Sequence, residues 1–150
     1  MKTPESPTTK ALNVIRVGQV EVKFHLETGQ TNGMLTMFEF SVPPNAKVPM
    51  PHSHVNFDET AYGLEGSLTW TIGGKKVASG PGNAVFIPRG TVHGFENVGA
   101  ATARQLSVIT PGLLGPDFFR EMGEVLSAGS PPDIKRLAAV MQRHGLRPVS

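Results

Sequence analysis

Apolar and polar residues alternate along the first part of the chain. Val20, Val22, Phe24 and Leu26 alternate with Glu21, Lys23 and His25. Met34, Thr36, Phe38, Phe40 and Val42 alternate with Leu35, Met37, Glu39 and Ser41. A period of two sends successive side chains to opposite faces of a strand. Both runs therefore predict β-strands, the first taken as one strand over 14–26. The segment Gly29-Gln30-Thr31-Asn32-Gly33 between them is turn chemistry, and Pro43-Pro44-Asn45 ends the second run. Shorter pieces of the same pattern predict strands over 60–64, 67–72, 84–87, 92–96 and 102–109. Gly73-Gly74 ahead of Lys75-Lys76-Val77 marks a hairpin, and Gly80-Pro81-Gly82, Pro88-Arg89-Gly90 and Gly99-Ala100 mark further turns. Short strands at ~8–12-residue spacing predict an all-β sandwich or barrel.

Beyond 111–115 the period changes. Phe118, Phe119, Met122, Val125 and Leu126 fall on one helical face, with Asp117 as the expected N-cap. A second helix is predicted to begin at Ser130-Pro131-Pro132-Asp133, to carry the stripe Ile134, Leu137, Ala138 and Met141, and to stop at Gly145. Residues 1–9 are polar and proline-rich and read as a flexible arm.

Composition narrows the class. The chain has 150 residues, enough for one compact domain. Only 17% are charged, and 17 Gly with 13 Pro make up one fifth of the chain. Such a chain favours many short elements over a helical bundle. The net charge is +2, and no basic run exceeds Lys75-Lys76, so no nucleic-acid partner is expected. Cysteine is absent, which excludes disulfides, thiolate metal sites and cysteine nucleophiles. The N-terminus lacks the apolar run of a signal peptide, and no stretch reaches the ~18 apolar residues of a membrane span. The expectation is a soluble, cytoplasmic protein without a membrane partner.

Candidate chemistry sits in the histidines. In Pro51-His52-Ser53-His54-Val55-Asn56-Phe57-Asp58-Glu59, two histidines are two residues apart. On a strand they share a face and aim two imidazoles at one point. Glu59 follows after a turn's length, and His93 stands on a different strand. Imidazoles and a carboxylate without thiolate suit one divalent transition metal: Fe, Mn, Ni, Co, Cu or Zn. His25 lies on the charged face of its strand and reads as a surface residue. His144, near a helix end, is placed to favour the last carbonyls and the helix dipole.

The spacing is more specific than the residues alone. His52-x-His54-x4-Glu59-x6-Gly66 forms one block and Gly82-x5-Pro88-x-Gly90-x2-His93-x3-Asn97 a second. Together they resemble the two sequence motifs of the cupin superfamily. One departure is Asn45-Ala46, where a turn glycine is usual. The resemblance implies a double-sheet jelly-roll β-barrel with two C-terminal helices, the barrel over 10–112 and the helical extension over 113–150. It further implies His52, His54, Glu59 and His93 as metal ligands, with Asn97 tying a turn.

Residues in phase with these ligands describe a pocket. Phe95 shares the face of His93, and Phe38, Phe40 and Trp70 are expected in its wall. Ala61 and Gly63 share the face of Glu59 and, being small, are expected to leave room. No Lys or Arg is in phase, so a neutral or aromatic small-molecule substrate is favoured over an anion. The Phe-rich helix and the end His144-Gly145-Leu146 resemble the C-terminal extension of small bacterial cupins similar to quercetin dioxygenases. The implied function is a metal-dependent dioxygenase, an oxidoreductase with Glu59 also able to act as base. A metal-dependent isomerase, cyclase or lyase, or a non-catalytic ligand-binding cupin, stands as the alternative. A homodimer is expected through pairing of the first strand's edge.

Overall fold

A computed structural model describes residues 14–149. The arm expected over 1–9 lies outside them. The strands are β1 (Val14–Val17), β2 (Val20–Leu26), β3 (Thr36–Val42), β4 (His52–His54), β5 (Asp58–Glu65) and β6 (Leu68–Ile72). There follow β7 (Lys75–Ser79), β8 (Ala84–Ile87), β9 (His93–Glu96) and β10 (Ala103–Thr110). Two helices, α1 (Pro116–Ser127) and α2 (Ile134–Arg143), precede a last strand, β11 (Leu146–Pro148).

The strands form two antiparallel sheets. One is six-stranded in the order β1-β2-β3-β10-β5-β8, the other five-stranded in the order β11-β4-β9-β6-β7. They stack face to face as a jelly roll. Hydrogen bonds do not close them into a continuous barrel, so the barrel expectation becomes two facing sheets with free edges.

Alternation works as expected on β3, where Thr36, Phe38, Phe40 and Val42 are buried and the residues between them are half-buried. It also holds on β10, although two of its inward positions are polar. Gln105 is satisfied there by the Ser79 carbonyl, to which it donates at 3.1 Å. Ser107 is satisfied by Glu59. Buried polar groups persist in a core when each has a partner.

The run 14–26 is two strands, not one. Gly18 takes φ +63, a left-handed conformation that residues with a Cβ seldom adopt, and the chain reverses into a hairpin pairing Val17 with Val20. Where a glycine was missing from the motif, Asn45 adopts φ +69. Asparagine tolerates that region, and the turn closes with Ala46 N–H donating to the Pro43 carbonyl at 3.1 Å.

The helix caps also depart from expectation. α1 is capped by Gly115 and opens with Pro116, whose fixed φ and missing N–H suit a first helical position. Asp117 lies inside the first turn and pairs with Arg120 at 3.1 Å. α2 follows the reading at its start: the Asp133 side chain accepts from the Arg136 N–H at 3.1 Å. Its buried face is Leu137, Val140 and Met141, whereas Ile134 is 51% exposed. Gly145, at φ +82, then turns the chain, and β11 pairs with β4. Among the described residues no helix is long and apolar enough to cross a membrane.

Phe119 of α1 reaches into the core between the sheets. Its ring centroid lies 5.0 Å from Phe38, 5.7 Å from Phe24 and 6.0 Å from Phe40. Each fully buried aromatic of this kind contributes roughly 1.5–3 kcal/mol through area alone. The extension is thereby held onto the inner face of the six-stranded sheet.

Candidate metal centre and cavity

β4 and β9 are antiparallel neighbours, and their register sets His52 directly across from His93. His54 comes from the same short strand as His52. The three ring centroids are 4.5, 4.7 and 5.2 Å apart. One ligand atom from each histidine lies within 4.8 Å of the others. Glu59 comes from the opposite sheet, on β5, so the site lies between the two layers. Its Oε1 is 3.9 Å from both His54 Nε2 and His93 Nε2. That gap is too long for a hydrogen bond. It falls between the ~3 Å and ~4.2 Å separations of adjacent and opposed ligands around one ion with ~2.1 Å bonds.

Second contacts orient the rings. His52 Nδ1 is 2.9 Å from the Met50 carbonyl, and His93 Nδ1 is 2.9 Å from the Thr91 carbonyl. A carbonyl only accepts, so in each ring Nδ1 donates, and in the neutral form of such a ring the lone pair is on Nε2. His54 is held differently. Its ring stacks on Phe57 at 4.4 Å and 26°, and its buried Nδ1 has no hydrogen-bond partner. On the Glu59 side, Ser107 Oγ donates to Oε2 at 2.8 Å, leaving Oε1 turned to the histidines.

Burial controls the charges. It pushes His52 down to about 3, helped by the neighbouring His93 and opposed by the Met50 hydrogen bond. It pushes His54 down to about 2, with His93 and His52 adding to the effect. Burial raises the Glu59 carboxyl, against the pull of His93 and the Ser107 hydrogen bond. No Lys or Arg lines this space. Buried imidazoles facing a buried carboxyl, with no Lys or Arg beside it, fit a divalent cation held by nitrogen and oxygen.

These shifts predict a pH dependence of stability in the metal-free protein. An unfolded chain protonates both histidines near 6.5, while the folded site refuses the protons until about 3. Stability is therefore complete above 6.5 and is lost as pH falls through that window. Glu59 has the opposite sign, because its raised folded value favours proton uptake by the folded state. The net difference is one to two protons, so about 1.5–3 kcal/mol should disappear between pH 6.5 and 5. Urea melts at pH 7.5, 6.5, 5.8 and 5.0 measure this. A flat profile would mean that the rings are solvated, not buried.

The ligands open onto an apolar cavity with about 60 Å³ of space for water-sized molecules, the equivalent of about four to six waters. All eight residues singled out from the sequence line it: His52, His54, Glu59, His93, Phe38, Phe40, Trp70 and Phe95. Sequence reasoning did not foresee the rest of the wall. Leu114, Phe118, Phe119, Met122, Met141 and Leu146 come from the C-terminal extension. The one signal for them was the Phe-rich stripe of α1. Ser107 was also missed, since a lone serine on a strand carries no pattern.

Other expectations change. Gly63 does not leave room in the cavity, because a Cβ there would stand 2.0 Å from the Gly80 carbonyl oxygen. Its hydrogen serves a close approach of two backbones. His25 is half-buried and sits 2.8 Å from Glu39. His144 turns its ring to Glu121, Nε2 to Oε2 at 2.6 Å, and only its backbone N–H serves the helix end. Asn97 ties its turn as expected, donating to the Val42 and Ala101 carbonyls at 2.8 Å. Asp58 stays outside the centre and pairs with exposed Arg89 at 3.1 Å.

Comparison with known proteins agrees with this geometry. The family described as the cupin domain matches residues 38–109, which include all four ligand candidates. The chain is 30% identical over 94 residues to quercetin 2,3-dioxygenase of Bacillus subtilis (strain 168), a match covering 63% of this chain and 27% of that protein. It is 35% identical over 83 residues to the tetracenomycin polyketide synthase protein TcmJ of Streptomyces glaucescens, covering 55% of this chain and 54% of that one. The chain thus spans between about a quarter and about half the length of these relatives. A crystal structure of a predicted oxalate decarboxylase from Thermotoga maritima superposes with a TM-score of 0.62 at 24% identity, over 71% of this chain and 96% of that one.

Proposed function

We propose that this chain, which matches the cupin domain over residues 38–109, is a metal-dependent dioxygenase acting on a small aromatic or enolisable molecule. The observation that carries the reading is the convergence of three buried imidazoles, two of them with Nδ1 held by a carbonyl contact, on one wall of an apolar cavity. His52, His54 and His93 would hold the ion, with Glu59 as fourth ligand. When bound, such an ion supplies Lewis acidity and redox capacity.

The chain's own residues supply the rest. Phe38, Phe40, Phe95 and Phe119 enclose an apolar substrate and exclude water. The wall has no cationic side chain, which disfavours phosphates and other anions. The free space of about 60 Å³ is well below the roughly 150 Å³ of a cavity that takes up benzene, so a single ring would need the Phe118–Phe119 side of α1 to give way and a three-ring flavonol would need it to move much further. Ser107 anchors Oε2 of Glu59, so a substrate hydroxyl proton would pass to Oε1. Burial raises that carboxyl, which brings it closer to the pH at which a general base both accepts and returns a proton.

The test is O2 uptake by protein reconstituted in turn with Fe(II), Mn(II), Co(II) and Ni(II). Catechols, 1,3-diketones and flavonols are the substrates. Uptake with at least one metal is expected, single-ring substrates turning over faster than flavonols, and both atoms of 18O2 appearing in product. Absence of uptake with every metal and every substrate class would overturn the dioxygenase reading and favour redox-neutral chemistry at the same centre.

A further inference from the structure

Apart from the ligand candidates, the cavity is walled by hydrocarbon with one exception. Trp70 lines it from β6, is 1% exposed, and its Nε1 finds no hydrogen-bond partner among the described residues. Among the described residues only two buried side-chain polar atoms share that condition, and the other is Nδ1 of His54, a ligand candidate. Buried donors are satisfied as a rule, since leaving one unpaired forfeits its hydrogen bond to water without replacement. The Trp70 ring is fixed rather than free to seek a partner. It packs against Phe95 at 5.2 Å and lies 6.5 Å from the His93 ring. Register places it opposite Phe95 on β9, one strand from the histidines.

We propose that Trp70 is a specificity residue: its indole N–H donates to an acceptor oxygen of the molecule bound in the cavity. The ligand class is then an apolar ring bearing a carbonyl, enol or ether oxygen, held at one end by the indole and presented at the other to the histidine group. A hydrocarbon of the same shape leaves the donor unpaired and binds more weakly. The assignment rests on the reading of this cavity as the ligand site, but not on the presence of a metal or on any reaction.

The protein has a single tryptophan, so one indole N–H resonance reports the site without ambiguity. The full chain, metal-free and 15N-labelled, is titrated with cyclopentanone and with methylenecyclopentane, which replaces the carbonyl oxygen by CH2 at nearly the same shape. Cyclopentanone should bind about five- to fiftyfold tighter and move the indole proton downfield, the hydrocarbon leaving that proton's shift nearly unchanged. In Trp70→Phe the preference should fall to within about twofold, because the aromatic wall is kept and only the donor is lost. A ketone preference that survives in Trp70→Phe would overturn the assignment. So would an indole proton unmoved by the ketone, the result expected if the N–H points into the face of Phe95. The wild-type resonance decides the matter even if the variant does not fold. Co(II) binding, followed by its absorption spectrum, is measured in parallel. Failure of both probes with Co(II) retained would remove the Trp70 role and leave the metal centre standing, whereas loss of Co(II) binding alone would do the reverse.

Discussion

His93→Ala should weaken binding of Co(II) or Mn(II) by at least about 100-fold, as measured by competition with a chelating indicator. Losing only the group that orients a ligand lowers metal affinity about 10–100-fold, and this substitution removes a proposed ligand together with its orienting contact to Thr91. His93 is the most connected of the group. It stands opposite His52 in register, its ring is 4.5 Å from that of His54, and its Nε2 is 3.9 Å from Glu59. Removing it leaves a pair of imidazoles from one strand and a carboxyl from the other sheet, without the group that bridges them. Metal should also stabilise wild-type protein by about 2.7 kcal/mol at a hundredfold excess over Kd, and this gain should vanish in the variant. His25→Ala and His144→Ala serve as controls, because their rings contact Glu39 and Glu121 instead. Equal metal affinity for His93→Ala and wild type would remove the proposed centre.

Gly63→Ala is expected to destabilise the fold by about 3 kcal/mol or more, at the upper end of overpacking effects. The added Cβ would stand 2.0 Å from the Gly80 oxygen and 2.7 Å from its carbonyl carbon. Both are backbone atoms, and neither can swing away. The two segments are also tied by hydrogen bonds: Gly63 N–H to the Asn83 carbonyl at 2.9 Å, and Gly82 N–H to the Gly63 carbonyl at 3.0 Å. Relief would require breaking these bonds or bending β5, the strand that carries Glu59. For a chain of this size, a fall of about 6–12 °C in Tm corresponds to that loss. Gly29→Ala is the matched control, since nothing lies within 4 Å of a Cβ there and its φ is not left-handed. If both substitutions leave Tm within about a degree of wild type, the close approach of β5 to the Gly80 turn is wrong.

Much of this molecule was legible one residue at a time. β3 and β10 follow from alternation, because a strand facing a core on one side needs a period of two. Gly73, Gly74, Gly82 and Gly90 mark turns because each adopts a left-handed φ between +58 and +83. The convergence of His52 and His54 was legible because His-x-His on a strand must share a face. Reading stopped where structure depends on partners distant in sequence. Val14 to Leu26 looks like one alternating strand, and only the left-handed Gly18 divides it into a hairpin. β11 is three residues long with a proline, too short for any period, and exists because β4 offers it an edge. His25 and His144 carry no local sign that Glu39 and Glu121 lie within 2.8 Å of them.

By itself, the sequence determined most of the strands, both helices and which side chains offer metal-binding atoms, because strand period, turn conformations and donor chemistry are local properties. It also determined that any ion must be held by nitrogen and oxygen, since the chain has no cysteine. Tertiary structure alone decided that the four donors meet across two sheets, and that α1 and β11 close the cavity with Phe118, Phe119 and Leu146. It alone decided that Trp70 carries an unpaired donor inside that cavity. Register, close approach and burial are relations between segments far apart in the chain. Their energies arise only when those segments come together, so no single stretch of sequence encodes them.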